Sequence, residues 1–162
     1  MQTHIFPTQT ANDATTKAAT TAYVDRATTH TGTTSAAPTG TASATAVMMG
    51  LAGSITPTRG TKIIVIVSGQ MANDTINDGA TVDLRYGTGT APVNGAAVTG
   101  TLAGIAQSFT ALVAAQKDGF CLMGKVTGLS VGTAYWLDLS LLAVTGGTAS
   151  VTGVSVVAYE VP

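Results

Sequence analysis

From residue 46 to residue 162 the sequence alternates apolar and polar side chains in short runs, and turn-forming residues punctuate the runs. A period of two places successive side chains on opposite faces of an extended strand. Ala80–Tyr86 (ATVDLRY) is the clearest instance, with Val82, Leu84 and Tyr86 facing one way and Thr81, Asp83 and Arg85 the other. Phe120–Val126 sets Phe120, Leu122 and Val126 against Cys121, Met123 and Lys125. Ala134–Val144 sets Tyr135, Leu137, Leu139 and Leu141 against Trp136, Asp138 and Ser140. Lys62–Ser68 (KIIVIVS) is instead a continuous β-branched run, which reads as a strand buried on both faces. Ile105–Val113 and Val154–Val161 complete the expected strands. Asn77-Asp78-Gly79, Asn94-Gly95, Asp118-Gly119 and Gly146-Gly147 read as the turns between them. Short strands at this spacing predict an all-β fold, a β-sandwich or jelly roll.

Residues 1–45 break the pattern. Thr and Ala dominate there, and beyond Met1 the large apolar side chains are Ile5, Phe6, Tyr23 and Val24. Such a stretch cannot bury a core of its own. It is expected to be an extended N-terminal anchoring arm and linker, with residues 46–162 forming the β-sandwich domain. Asn12-Asp13 would cap a short helix over about Ala14 to Ala27, with Ala14, Ala18 and Ala22 on one stripe. Thr is a poor helix former, so that helix would depend on packing against something larger. His30–Thr45 reads as an extended linker. The opening MQTHIFPTQT lacks a basic start followed by an apolar run, so a secretory leader is not expected.

The chemistry available to the sandwich is narrow. Among 162 residues, 7 are Lys or Arg and 8 are Asp or Glu, a net charge of -1. Charged residues make up 9%, against about a quarter in an ordinary domain. A nucleic-acid or anionic-membrane partner would need a basic patch that this composition does not supply. The longest strongly apolar run, Ile63–Val67, is far shorter than the roughly 18 residues of a membrane span. A surface so poor in charge tends to associate, so it is expected to be covered by copies of itself or by a partner. Cys121 is the only cysteine, which excludes an intrachain disulfide. Its place in a strand pattern suggests a buried or interface thiol, with no neighbour to lower its pKa.

Both histidines, His4 and His30, lie in the arm. Ser-His-Asp and Cys-His arrangements within the sandwich therefore lack their imidazole. Gly87-Thr88-Gly89-Thr90 is glycine-rich but lacks the lysine and the following helix of a phosphate loop. Asn73, Asp74, Asn77 and Asp78 gather oxygen ligands at a density that suits Ca²⁺. Their spacing is not that of an EF-hand, and Asn and Asp are also the ordinary residues of turns. Trp136 and Asp138 read as sheet residues or a carbohydrate contact. No catalytic, cofactor-binding or metal-ligating set emerges, and a non-enzymatic protein is expected.

The run Lys17-Ala18-Ala19-Thr20-Thr21-Ala22-Tyr23-Val24-Asp25 resembles a short motif that recurs in tail fibres and related appendages of tailed bacteriophages. The segments Met49–Arg59, Arg85–Pro92 and Gly132–Leu139 are similar to a β-domain of phage virion proteins. The resemblance implies a homotrimer located in the virion and assembled in the bacterial host cytoplasm. The N-terminal segment would attach to the particle and the β-domain would project outward. Tail fibres often repeat the motif many times and are much longer, whereas here it occurs once. A capsid decoration protein or head fibre suits the length better, with the major capsid protein or another virion protein as partner. Ile5, Phe6, Tyr23 and Val24 are then the candidate attachment residues. The alternative is a tail fibre or tail-tip protein that binds host glycan or protein, with Trp136, Thr88 and Asn94 as candidate contacts.

Overall fold

The computed structural model describes residues 30–32 and 37–161. The expected helix at 14–27 and the candidate attachment residues Ile5, Phe6, Tyr23 and Val24 lie outside them. The described residues are all-β, with no helix. The strands are β1 (His30–Gly32), β2 (Val47–Met48), β3 (Gly53–Ile55), β4 (Lys62–Asn73), β5 (Gly79–Thr88), β6 (Thr101–Leu102), β7 (Gln107–Thr110), β8 (Lys117–Thr127), β9 (Tyr135–Ala143) and β10 (Ala149–Val161).

They form two antiparallel sheets. One has the order β1-β10-β4-β8. The other has the order β2-β9-β5-β6, with β3 also on β9 and β7 also on β5. Taking β2 with β3, and β6 with β7, as interrupted strands leaves eight positions in jelly-roll order. Successive long strands cross from one sheet to the other, so most contacts join residues far apart in sequence.

The core lies between the sheets and is built by the alternation read from the sequence. Ile63, Val65, Val67 and Met71 of β4 meet Ala80, Val82 and Leu84 of β5, and Leu137, Leu139 and Leu141 of β9. Phe120, Leu122 and Val126 of β8, with Val151, Val154, Val156 and Ala158 of β10, complete it. Fully burying one such side chain contributes about 1.5–3 kcal/mol. One polar group buried at the core's edge is Glu160, which is 5% exposed. Its carboxylate accepts N–H bonds from Thr58, Arg59 and Gly60 and the hydroxyl of Thr58. One carboxylate thereby fixes the turn that leads into β4.

Four expectations about strands and turns are corrected. Lys62–Ser68 is not buried on both faces: Ile64 and Ile66 are half-buried on the outer face of their sheet, and β4 continues to Asn73. Asp118-Gly119 is not a turn. Because β4 is long, β8 extends back to Lys117 to pair with it, and Gly119 sits opposite Gln70. The chain reverses instead before Gln116, where Ala115 takes a left-handed φ of 59°. Ile105–Val113 contracts to Gln107–Thr110, since Phe109 is the buried side chain of that strand and Ile105 is 80% exposed. The last strand starts at Ala149 rather than Val154. A bulge between Thr152 and Ser155, with Gly153 at φ 61°, shifts the inward phase and hides the first half of the strand from a period-two reading.

Within the stretch read as a linker, two described parts are paired with β10. β1 lies on β10 with His30 opposite Tyr159, and Thr41 bridges Ala149 with N–H···O bonds in both directions at 2.8 Å. Leu139→Ala at the centre of the core should lower unfolding stability by about 2–5 kcal/mol. Chemical denaturation with an unchanged slope would check this, and a loss well under 1 kcal/mol would contradict the packing described.

Candidate functional site

The face of β9 turned away from the core was expected to be a polar surface. In the structure it is covered. Trp136, Asp138 and Ser140 are at most 5% exposed. Residues 47–51, where β2 edges β9 and the chain then bends, and residues 93–100, which run from beside β2 to Trp136, supply the groups that meet them.

Trp136 donates its indole N–H to the carbonyl of Thr88 at 3.1 Å. Its ring lies against Gly87 and Gly100, where any side chain would collide with it. A Cβ on Gly100 would sit 2.2 Å from the indole Cη2 and 2.5 Å from the Tyr86 carbonyl. Gly100 also has φ +73°, which L residues rarely adopt. Trp136 therefore offers no open stacking surface. Thr88 is exposed, and its carbonyl holds the indole. Asn94 is exposed and donates Nδ2–H to the carbonyl of Thr39 at 3.1 Å. The fold thus brings Thr88 beside Trp136, while Asn94 serves the strap over the next part of the sheet.

Asp138 organises that strap. Its two carboxylate oxygens accept N–H bonds from Gly50 and Leu51 at 2.9 Å each and from Leu139 at 2.8 Å. Burial raises its pKa above 3.8, and the Leu51, Leu139 and Gly50 amides pull the other way.

One register step along, Asp83, Arg85 and Ser140 form a polar triangle on the same face. The Arg85 Nη2 lies 3.3 Å from Asp83 Oδ2, and Arg85 Nε and Asp83 Oδ2 each lie 3.3 Å from the Ser140 hydroxyl. Arg85 forms part of the wall of an open groove of about 590 Å³, with Ser43, Thr45, Val47, Ala97 and Val98 among the other lining residues. Sequence reading placed Asp83 and Arg85 on the polar face of β5 without marking them as a site. Two charged residues at i and i+2 of a strand were the available signal.

The residues considered for Ca²⁺ are turn residues. Asn73 donates to the carbonyls of Gly79 and Gly146 at 2.8 and 3.1 Å and accepts from the Thr75 N–H at 2.8 Å. Asp74 Oδ1 accepts from Thr148 N–H at 2.7 Å and the Thr75 hydroxyl at 3.0 Å. Asp78 Oδ1 accepts from the amides of Gly79 at 2.7 Å and Thr145 at 2.9 Å. Asn77 takes φ 60° at the turn. These bonds tie the β4–β5 turn to the β9–β10 turn. The Thr148 amide, foremost, lowers the Asp74 pKa below 3.8. Burial raises that of Asp78, but the Thr145 and Gly79 amides outweigh it and the net direction is down.

Among the described residues no group of three or more His, Cys, Asp and Glu could hold a metal ion. Cys121 is exposed on the outer face of β8, not buried as one of the two expectations had it. No helix among the described residues is long and apolar enough to cross a membrane.

No family model and no curated protein matches the chain. Among solved structures, a chain from "Structure of infectious bursal disease virus Gt strain" is 12% identical over 95% of this chain, with a TM-score of 0.26. This chain spans 46% of that one. A superposition so loose shows neither a common fold nor a common role.

Two outcomes test the covered face. Gly100→Ala should lower stability by about 1–3 kcal/mol, through collision with Trp136 and a strained φ; an unchanged melting temperature would contradict it. Asp138 has a raised folded pKa, so its contribution is most favourable below 3.8 and declines as pH rises through the folded value. Asp74 and Asp78 have lowered pKa values; their contribution is present above 3.8 and is lost as pH falls through the folded values. Asp138→Asn should therefore abolish the decline in stability as pH rises above about 4 while keeping the acid loss below about pH 4. Thermal melts across that range check both arms.

Proposed function

We propose that this chain is a non-enzymatic structural protein of a tailed-bacteriophage particle. In this reading it is a homotrimeric capsid decoration protein or head fibre, held on the shell by its N-terminal segment. The observation that carries the proposal is the run Lys17–Asp25, which resembles the appendage motif. The jelly roll hosts capsid and lectin domains alike, so the fold by itself leaves the role open.

Three further features fit the proposal. Residues 46–162 contain no histidine, and the buried carboxylates Asp138 and Glu160 are spent on backbone amides. The surface is poor in charge, which favours contact with neutral protein surfaces. In this reading the attachment segment leads into β1, whose His30 pairs with Tyr159 near the end of β10.

Immunogold microscopy of intact virions, with antibody to residues 46–162, tests the assignment. Gold over the head is the expected result. Gold at the tail would replace the decoration reading with adhesion, and unlabelled particles would overturn the virion reading. A chain lacking residues 1–29 should lose capsid binding while keeping its melting transition. Full binding by that truncation would overturn attachment through the arm.

A further inference from the structure

We propose that Asn94 is a self-modification site: the Gly95 nitrogen displaces ammonia from its side chain when the strap opens, and the product lets go of the preceding chain. The proposal is independent of where the chain sits on a particle. Asn94-Gly95 is the one place in the sequence where glycine follows asparagine. A glycine there puts no side chain in the path of an attack on the asparagine Cγ. Asn73 and Asn77 are instead followed by Asp74 and Asp78, whose side chains hinder it.

The fold holds both reacting groups in a closed arrangement. The Ala96 N–H donates to the Val93 carbonyl at 3.1 Å, and Gly95 takes φ 81° while Asn94 keeps a negative φ, which makes Val93–Ala96 a type II turn. The Gly95 N–H donates to the Met48 carbonyl, and the Met48 N–H donates to the Ala96 carbonyl, both at 2.8 Å. Backbone of the 47–51 segment lies directly on the Asn94 peptide, since a Cβ on Gly50 would sit 2.5 Å from the Asn94 nitrogen. Asn94 itself is exposed, and its Nδ2 donates to the Thr39 carbonyl at 3.1 Å.

The reaction needs the Gly95 N–H proton removed and the nitrogen brought against Asn94 Cγ. The N–Cγ bond forms, the Cγ–Nδ2 bond breaks, and the side-chain nitrogen leaves as ammonia with the proton taken from Gly95. Water then opens the cyclic imide at either carbonyl, giving aspartate or its β-linked isomer. While Met48 holds the Gly95 proton the first step is blocked, so the reaction draws on the locally open fraction of the protein. Either product carries a carboxylate, which accepts but does not donate, and so loses the bond to the Thr39 carbonyl. The β-linked isomer also adds a methylene to the main chain inside the turn, which the paired bonds to Met48 do not accommodate. Thr39 lies two residues before Thr41, whose bonds to Ala149 tie this part of the chain to the sandwich. Modification thus loosens that clasp in one direction only.

The test incubates the full chain, folded and in guanidinium, at mildly alkaline pH, with peptide mass mapping of the products. The denatured chain should convert at Asn94 ahead of Asn73 and Asn77. The folded chain should convert about tenfold more slowly or less, because two hydrogen bonds must open first. The same opening exposes the Gly95 amide to hydrogen exchange, so the slowing and the Gly95 protection factor should agree within about threefold. Asn94→Asp, which reproduces one product, should speed exchange of the Thr41 amide and leave that of Leu139 unchanged. Equal rates in folded and denatured chains, a slowing that departs from the Gly95 protection, or a Thr41 amide indifferent to Asn94→Asp would each overturn the proposal.

Discussion

Strand β9 is buried on both faces, and the rest of the molecule is arranged around that demand. Leu137, Leu139 and Leu141 fill the space between the sheets. Trp136, Asp138 and Ser140 on the opposite face are sealed by segments 47–51 and 93–100. A sandwich needs one apolar face per sheet; covering a second requires loops that lie flat and stay there. Gly87 and Gly100 let backbone approach the indole, and Asp138 holds the strap by three amides.

Carboxylates acting on backbone N–H groups recur through the fold. Glu160 gathers the turn before β4, Asp138 the 47–51 strap, and Asp78 and Asp74 the turn between β9 and β10. Each replaces water with directed donors, which is how a buried carboxylate avoids most of its desolvation cost. With 7 Lys and Arg in the whole chain, cations are scarce, and amide donors do what salt bridges do elsewhere. Arg85 and Asp83 form an ion pair, and Arg85 lines a groove.

The outer face of the β1-β10-β4-β8 sheet carries Ile64, Ile66, Val157, Tyr159 and Met123 in adjacent register, half-buried or exposed. An apolar sheet face on a chain so poor in charge favours association, and it agrees with the proposed place in an assembled particle.

The sequence by itself determined the all-β class, the inward set on β5, β8 and β9, and three of the four turns, because period two and turn chemistry are local properties. The same local logic explains the reading of Asn73, Asp74, Asn77 and Asp78 as turn residues. Tertiary structure decided the rest. Whether Trp136, Asp138 and Ser140 face water or a strap depends on contacts with residues 36 to 88 positions away in the chain, and no alternation pattern records that. The length of β8 was set by its partner β4, and the start of β10 was hidden by a bulge. The groove exists because β5 and two distant segments converge on Arg85, and convergence of that kind is a property of the folded chain alone.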